Sequence, residues 1–477
     1  SAAVVASTAF RHRAIGAWSD IDHGSVLRLL AAPLIVFLTW KGALYPFNVH
    51  AGELHLLDRS VLVILAVGAL WRPILVIPFA LQFRVISAQT VFPFQTTASQ
   101  NVDDLPVIVL LLIAVGHLLF VLTGRRSMSL VVLGVGAALA SHFYIPGKAK
   151  LVMGWLGGND VANLPLAAYT AGWLGHTDGS VATTVASTFE RFGTVIKVAT
   201  LGLELGALVA VAHRRLLRPW LAGWVVFHLV TFIATGFFFI GWMMAEVGLL
   251  VVLSRRELRA WIDENSTWPR ALAAVVAVAG APVLFHPPGL AWTDAPVSYG
   301  YRIEATGVSG RTFRLPASTF APLEAEVMFK RLQFAGPGHL SGAYGALDSP
   351  GRLDELNDIQ SFSDLSALEA AQPEADTSAM DASVELLSSL LRATNDAEVR
   401  STTSRLHKLN APSLFWSSWS ADDYHFTEPL SRIDVELLTR VHNPARRDSG
   451  TTLARIEPVL TLSLQPDGSI EEIVIER

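Results

Sequence analysis

The chain of 477 residues contains no cysteine. Disulfides, thiolate metal sites and a cysteine nucleophile are thereby excluded. Charge is scarce as well. Only 16% of the residues are Asp, Glu, Lys or Arg and 51% are hydrophobic, whereas soluble domains carry about 25% charged residues. A Gly-rich phosphate loop, a His-Glu-x-x-His zinc motif and a Gly-x-Ser-x-Gly elbow are all missing. There is no internal repeat. Residues 1–23 are mixed polar, with Arg11, Arg13 and two acids, and lack the apolar stretch of a signal peptide.

What charge there is divides unevenly. Residues 286–477 hold 16 Lys and Arg against 27 Asp and Glu, a net of −11, which leaves 20 basic and 14 acidic residues, a net of +6, for residues 1–285. Two portions facing different solvents are expected. A basic membrane portion suits anionic lipid headgroups, and an acidic tail argues against nucleic acid as a partner.

Apolar runs fill the first portion. A spanning helix needs about 20 mostly apolar residues. Residues 105–123 and 127–146 carry no charge, and residues 24–45 and 271–286 are further candidates. Residues 60–90, interrupted at Arg72–Pro73, read as one broken helix or two short ones. Residues 192–213 form another span, with Lys197 and Glu204 inside it. Residues 220–254 run on with the single charge Glu246; one straight helix of that length would measure about 52 Å, so a break near Gly236 is expected. The fold class expected is an α-helical polytopic membrane bundle of seven to nine spans over residues 24–286, followed by a mixed, β-rich extramembrane domain over residues 287–477. Basic clusters at Arg125–Arg126, Arg214–Arg215–Arg218 and Arg255–Arg256–Arg259 place those loops in the cytoplasm by the positive-inside rule. Arg11 and Arg13 place the N-terminal segment there too, and the last domain then lies outside the cytoplasm.

Beyond Pro287–Pro288 the periodicity changes. Residues 299–315 alternate around a Gly-containing turn as a hairpin does, and residues 453–475 do so around Pro466–Asp467–Gly468. Residues 380–395 have helical spacing. Residues 338–378 are polar and read as a long loop. A β-sandwich or an open sheet with one or two helices is expected.

A charge at the centre of a spanning helix costs about 2.5–3.5 kcal/mol on insertion scales and usually faces a bundle interior or a water-filled cavity. Lys197 and Glu204 are two helical turns apart and share a face; an interhelical polar contact and a functional pocket explain them equally well. His228 lies in the middle of an apolar run, where an interhelical hydrogen bond is the commoner role. His117 and His142 have weaker claims. Lys148 and Lys150 follow Tyr144-Ile145-Pro146-Gly147, where Pro and Gly end or break a helix. They either snorkel to the headgroups or one of them sits in a partly desolvated pocket, where a lysine can act as a base. Asp422, Asp423, Tyr424 and His425 form a polar cluster that reads as a solvated loop rather than a metal site.

Three segments, in this order and spacing, resemble the vitamin K-dependent γ-carboxylase family and its bacterial relatives with the horizontally transferred transmembrane domain. They are residues 26–40 (VLRLLAAPLIVFLTW, with Arg28), 142–156 (HFYIPGKAKLVMGWL) and 227–245 (FHLVTFIATGFFFIGWMMA). Glu204 falls where relatives often carry an acid. The resemblance spans about residues 20–285. It implies a carboxylase- or oxygenase-like membrane enzyme that binds a quinol of the vitamin K type or a lipid, in which the second lysine of the motif, Lys150, is the base and His228 a second catalytic residue. Tyr144, Lys148, Lys197 and Glu204 are the residues expected around the cofactor. The sequence departs from the family where Gln100-Asn101-Val102-Asp103-Asp104 replaces an Asn-His pair and where Ala149 splits the lysines. Two other readings stand beside the enzyme: a non-catalytic subunit whose acidic domain meets other membrane proteins, and a transporter built on Lys197, Glu204 and Glu246, for which no inverted repeat is visible.

Overall fold

The computed structural model describes residues 2–20, 24–44, 56–91, 98–124, 128–158, 161–174, 179–213, 215–255, 267–287, 295–320, 350–359, 361–371, 377–415, 422–442, 453–466 and 468–474. Arg125, Arg126, Arg214, Arg256, Arg259, Pro288, Asp467 and residues 338–349 lie outside them, as do the side chains of Gln100 to Asp103.

The described residues of the first portion are mostly helical. Its described α-helices of six residues or more are α1 (Ala2–Ile15), α2 (Gly24–Leu44), α3 (Leu56–Trp71), α4 (Val76–Val91), α5 (Ala98–Thr123), α6 (Met128–Val152), α7 (Asn163–Thr170), α8 (Ser180–Arg191), α9 (Gly193–Leu205), α10 (Ala207–Ala212), α11 (Leu217–Thr235), α12 (Ile240–Ser254) and α13 (Thr267–Ala279). Among the described residues, four stretches are long and apolar enough to cross a membrane: Gly24–Leu44, Asp104–Thr123, Ser129–Val152 and Leu217–Thr235. At 1.5 Å per residue, 20 residues cover about 30 Å, the thickness of the hydrocarbon core. Their outward faces stay apolar: Val36, Val115, Val226 and Ile233 are all exposed. That arrangement is expensive in water and consistent with a membrane protein.

Proline and glycine shape the bundle in different ways. Pro146 does not end α6, which continues to Val152. A proline inside a helix removes one backbone hydrogen bond and crowds the preceding turn, but α6 is the most enclosed of the four long helices and its neighbours hold it straight through. Gly236 does end α11. It adopts φ +75°, the left-handed conformation that stops a helix, and α12 starts at Ile240. The apolar stretch at residues 192–213 is also interrupted, at Gly206, where a Cβ would overlap the Gly202 carbonyl and the Trp220 ring.

Backbone freed at the Gly236 break is satisfied from the second portion of the chain. Phe238 N–H donates to Leu414 O at 2.7 Å, Phe237 and Phe415 form an antiparallel bridge, and Trp40 Nε1 donates to Leu409 O at 2.7 Å. Phe415 and Phe237 are both fully buried, with rings 5.5 Å apart. A non-helical segment inside an apolar bundle is tolerated where protein groups meet its backbone.

The second portion is one antiparallel sheet of β1 (Val297–Gly307), β2 (Thr312–Arg314), β3 (Leu430–Val441), β4 (Leu453–Leu464) and β5 (Ile470–Val474), in the order β2-β1-β3-β4-β5. Of the two arrangements expected, the open sheet is the one found among the described residues. Helix α16 (Thr377–Asn395) covers it with Leu386, Leu387, Leu390 and Leu391, all fully buried, and α17 (Ala397–His407) follows, capped by Asp396. The polar stretch expected as a loop contains two short helices, α14 (Pro350–Asn357) and α15 (Phe362–Ala370). Leu353, Leu356 and Leu365 dock them onto the same core, a contribution hidden by the surrounding Ser, Asp and Glu. The Asp422–His425 segment is not uniformly solvated either. Asp423 pairs with Arg314 at 2.7 Å, and buried Tyr424 donates to Glu428 O at 2.5 Å. No group of three potential metal ligands occurs among the described residues.

The sheet docks on the bundle through α7. Thr170 Oγ1, Ser298 Oγ and His442 Nε2 form a buried chain with both steps at 2.8 Å, and the Arg440 guanidinium lies 4.4 Å from the centre of the Tyr169 ring. Gly300 makes the approach possible, because any Cβ there would overlap the Thr170 carbonyl. Gly300→Val is expected to destabilise the docked state by about 1–3 kcal/mol, the usual cost of overpacking, read as a lower thermal midpoint of the purified chain in detergent. An unchanged midpoint would mean that the sheet is not seated on α7.

His407, beside His425, is held below its ordinary value, first by burial and then by the His425 charge, with Asp423 opposing. The unfolded chain therefore binds the proton more readily than the folded one. The stability contribution is complete above the unfolded value, about 6.5, and is lost as the pH falls through it. His407→Gln should flatten this acid limb in unfolding midpoints taken from pH 7.5 to pH 5; an identical slope would contradict the assignment.

Candidate functional site

Two charged residues of the first portion, Lys150 and Glu204, line one cavity. Lys150, near the C-terminal end of α6, meets Glu204 on α9, with Nζ to Oε1 at 2.7 Å and both side chains almost fully buried. The approach depends on Gly147, one turn before Lys150. A Cβ at Gly147 would lie 2.7 Å from the Glu204 Cβ, so the missing side chain lets α9 reach α6. Two indole groups, Trp220 and Trp224, donate to Leu203 O at 3.1 and 3.2 Å and fix the end of α9.

A second pair lies across the cavity. His228 on α11 and Glu246 on α12 meet at 3.0 Å between Nε2 and Oε1, both essentially without exposure. The contact has the distance of an ion pair without the alignment of a full hydrogen bond. The Gly236 break makes it possible, because it turns α12 back beside α11. The His228 ring is enclosed by Phe143, Phe239 and Trp242, with centroids at 5.3, 5.1 and 5.7 Å. His142 on α6 lies edge-on to Trp242 at 5.0 Å and uses Nδ1 on the Ala138 carbonyl at 2.8 Å.

Between the pairs is a cavity of about 120 Å³, bounded by His142, Lys150, Glu204 and His228 and otherwise chiefly by apolar and aromatic side chains such as Phe143, Trp155 and Phe239. Val230, which also lines it, is exposed on the outer face of α11. Five buried polar atoms on the lining residues make no hydrogen bond within the protein: His142 Nε2, Trp155 Nε1, Glu204 Oε2 and both ring nitrogens of His228, of which Nε2 faces Glu246. Buried polar atoms are almost always hydrogen-bonded, so these mark a place suited to a molecule with oxygen atoms on an otherwise apolar frame. Apolar walls with a few convergent polar groups are the usual form of a small-molecule site.

Of the residues singled out in the sequence, Lys150, His228 and Glu204 come together here. Tyr144, Lys148 and Lys197 do not line the cavity. Tyr144 is half-buried, Lys148 is exposed, and Lys197 donates to Leu156 O at 2.9 Å. Because α6 is continuous, residues two apart point about 200° away from each other around the helix axis, and Lys148 faces outward when Lys150 faces in. Asp104, the described acid of the 100–104 stretch, is paired with Arg84. Glu246 and His142 were visible only as isolated polar groups in apolar runs; the positions that bring them to the site lie on other helices.

No protein-family model matches the chain, and neither a curated protein nor a solved structure matches it.

Removing one member of a buried ion pair leaves the other charge uncompensated, at a cost of about 3–5 kcal/mol, whereas replacing both by apolar groups is often neutral. Lys150→Met and Glu204→Leu should therefore each lower the thermal midpoint in detergent, and the double variant should recover most of the loss. Additive losses would show that the two do not act as a pair.

Proposed function

We infer that the helical portion is a membrane-embedded site for a small apolar molecule bearing ionisable hydroxyl groups, of the quinol class, and that it exchanges a proton with that molecule. The observation that supports this most directly is the cavity itself, in which the Lys150–Glu204 pair and His228 are held against aromatic walls within an apolar bundle. A water-soluble polar substrate has little to gain from such walls. A flat aromatic ring can stack on Phe143 or Trp242 while its oxygen atoms meet Lys150, His142 and His228. The carboxylase-like chemistry implied by the resemblance of residues 142–156 and 227–245 begins with loss of a quinol proton, and this arrangement suits that step.

The same reading sets the membrane topology. Pro73–Gln89, Ile240–Ser254 and Arg270–Ala279 are shorter apolar helices. With these, the four long ones, Leu56–Trp71 and the α9–α10 stretch all crossing, there would be nine passes, the upper end of the expected range, which leaves α7 and the sheet docked on it on one side. The described basic residues Arg215, Arg218 and Arg255 then face the cytoplasm, and the sheet domain lies on the opposite side.

Purified chain in lipid nanodiscs, titrated with a naphthohydroquinone, is expected to show saturable quenching of tryptophan fluorescence through Trp155 and Trp242. Lys150→Ala should weaken binding about tenfold or more, as loss of a hydrogen bond to a charged group does. Quenching that never saturates, and that is the same in the variant, would reduce the site to simple partitioning into lipid.

A further inference from the structure

Two buried acid–base pairs meet at one cavity, with Lys150, Glu204 and His228 among its lining residues and Glu246 in contact with His228, and their geometries differ. Lys150 Nζ lies 2.7 Å from Glu204 Oε1 and donates to it. His228 presents Nε2 to Glu246 at 3.0 Å and keeps Nδ1 without a protein partner, on a residue that lines the cavity. We propose that His228, held by Glu246 as its positioning residue, takes the proton from a hydroxyl of the bound ligand, while Lys150 stabilises the oxyanion that remains. This rests on the reading of the cavity as a site for an ionisable hydroxyl and reverses the role that the family resemblance implies for Lys150.

The chemistry follows from the inventory of donors and acceptors. A neutral imidazole has one N–H and one acceptor nitrogen. A carboxylate facing Nε2 assigns the N–H to that atom and leaves Nδ1 as the acceptor. The same carboxylate compensates the positive charge that arrives with the proton, as the acid of a catalytic triad does for its histidine. In the step, the ligand O–H bond breaks, an Nδ1–H bond forms, and the electron pair stays on the ligand oxygen. Nothing is oxidised or reduced. As an ammonium donating to Glu204, Lys150 has no lone pair with which to take a proton and serves as a fixed cation aimed at developing negative charge. Glu204 Oε2 and His142 Nε2, both without protein partners, are available to orient a second oxygen of the ligand. Of the other titratable groups on α11, α6 and the elements packed against them, Tyr169 on α7, Lys197 on α9, Tyr144 on α6 and Arg218 on α11 do not line the cavity, and Lys148 on α6 is exposed. The proton therefore has His228, His142, Lys150, Glu204 and Glu246 to choose among.

The test uses the full chain in lipid nanodiscs with a nitronaphthol whose anion absorbs in the visible, so that binding and ionisation are read separately. The bound probe should ionise at lower pH than the same probe in empty nanodiscs. Glu246→Gln should raise the ionisation midpoint by about 1–3 pH units, the range set by a close opposite charge, with affinity for the neutral probe nearly unchanged; Glu246→Asp should restore much of the shift. His228→Gln should raise the midpoint in the same way. A midpoint that moves with Lys150→Met and stays put with Glu246→Gln and His228→Gln would overturn the proposal and return the proton to Lys150. A loss of affinity alone, without movement of the midpoint, would overturn it as well, by making Glu246 structural. A wild-type chain that binds the probe no better than empty nanodiscs do would overturn the site reading and this proposal together. If Glu246→Gln does not fold, Glu246→Asp and His228→Gln decide by the same criterion.

Discussion

The first portion depends on burying opposite charges in contact with each other inside an apolar bundle. Lys150 and Glu204 are 54 residues apart in sequence and 2.7 Å apart in space. In a medium without water, each alone would cost several kcal/mol; together they fix where α9 sits on α6. Gly147 permits the approach and Trp220 and Trp224 hold the neighbouring carbonyl, so several unrelated sequence features serve this one contact. The His228–Glu246 pair repeats the arrangement on the other wall, with the Gly236 break in the role that Gly147 has on the first.

A cavity follows from two such pairs. Charges that must face each other cannot also pack as hydrocarbon does, and the aromatic rings around them bridge the remaining space without closing it. The result is an apolar container with a few polar atoms left for an occupant. The sheet domain is not independent of this container. Its segment from Leu409 to Phe415 reaches the Gly236 break and supplies backbone partners there, next to Phe239, whose ring touches His228.

Much of this was legible in the sequence, for reasons that can be named. The charge asymmetry between residues 1–285 and 286–477 separates the helical portion from the sheet portion. The length of the 220–254 run demanded a break, and glycine at 236 is the residue that can adopt the required φ. The hairpins at 299–315 and 453–475 showed themselves by alternation. What stayed hidden was pairing across helices. Glu246 reads as a lone charge until α12 folds back beside α11, and nothing in the spacing of Lys197 and Glu204 shows that only the second turns toward Lys150. The expectation of a helix end at Pro146–Gly147 had the largest consequence, because a continuous α6 puts Lys148 outside and Lys150 inside. The helices at residues 350–357 and 362–370 were concealed by polar composition, since a few leucines at the right spacing are enough to dock a short helix on an existing core.

The central claim is that the lysine amine is sequestered with its carboxylate and opposite an imidazole in a lipid-embedded cavity that accepts a flat ligand. A high-resolution electron cryomicroscopy map of the chain in native-lipid nanodiscs tests it most directly. The account predicts contiguous density joining the Lys150 and Glu204 side chains, with planar density in the cavity between them and His228. A map in which the Lys150 side chain extends to the headgroups or to bulk water, with the space beside His228 filled by packed side chains, would contradict it and leave a membrane anchor without a site.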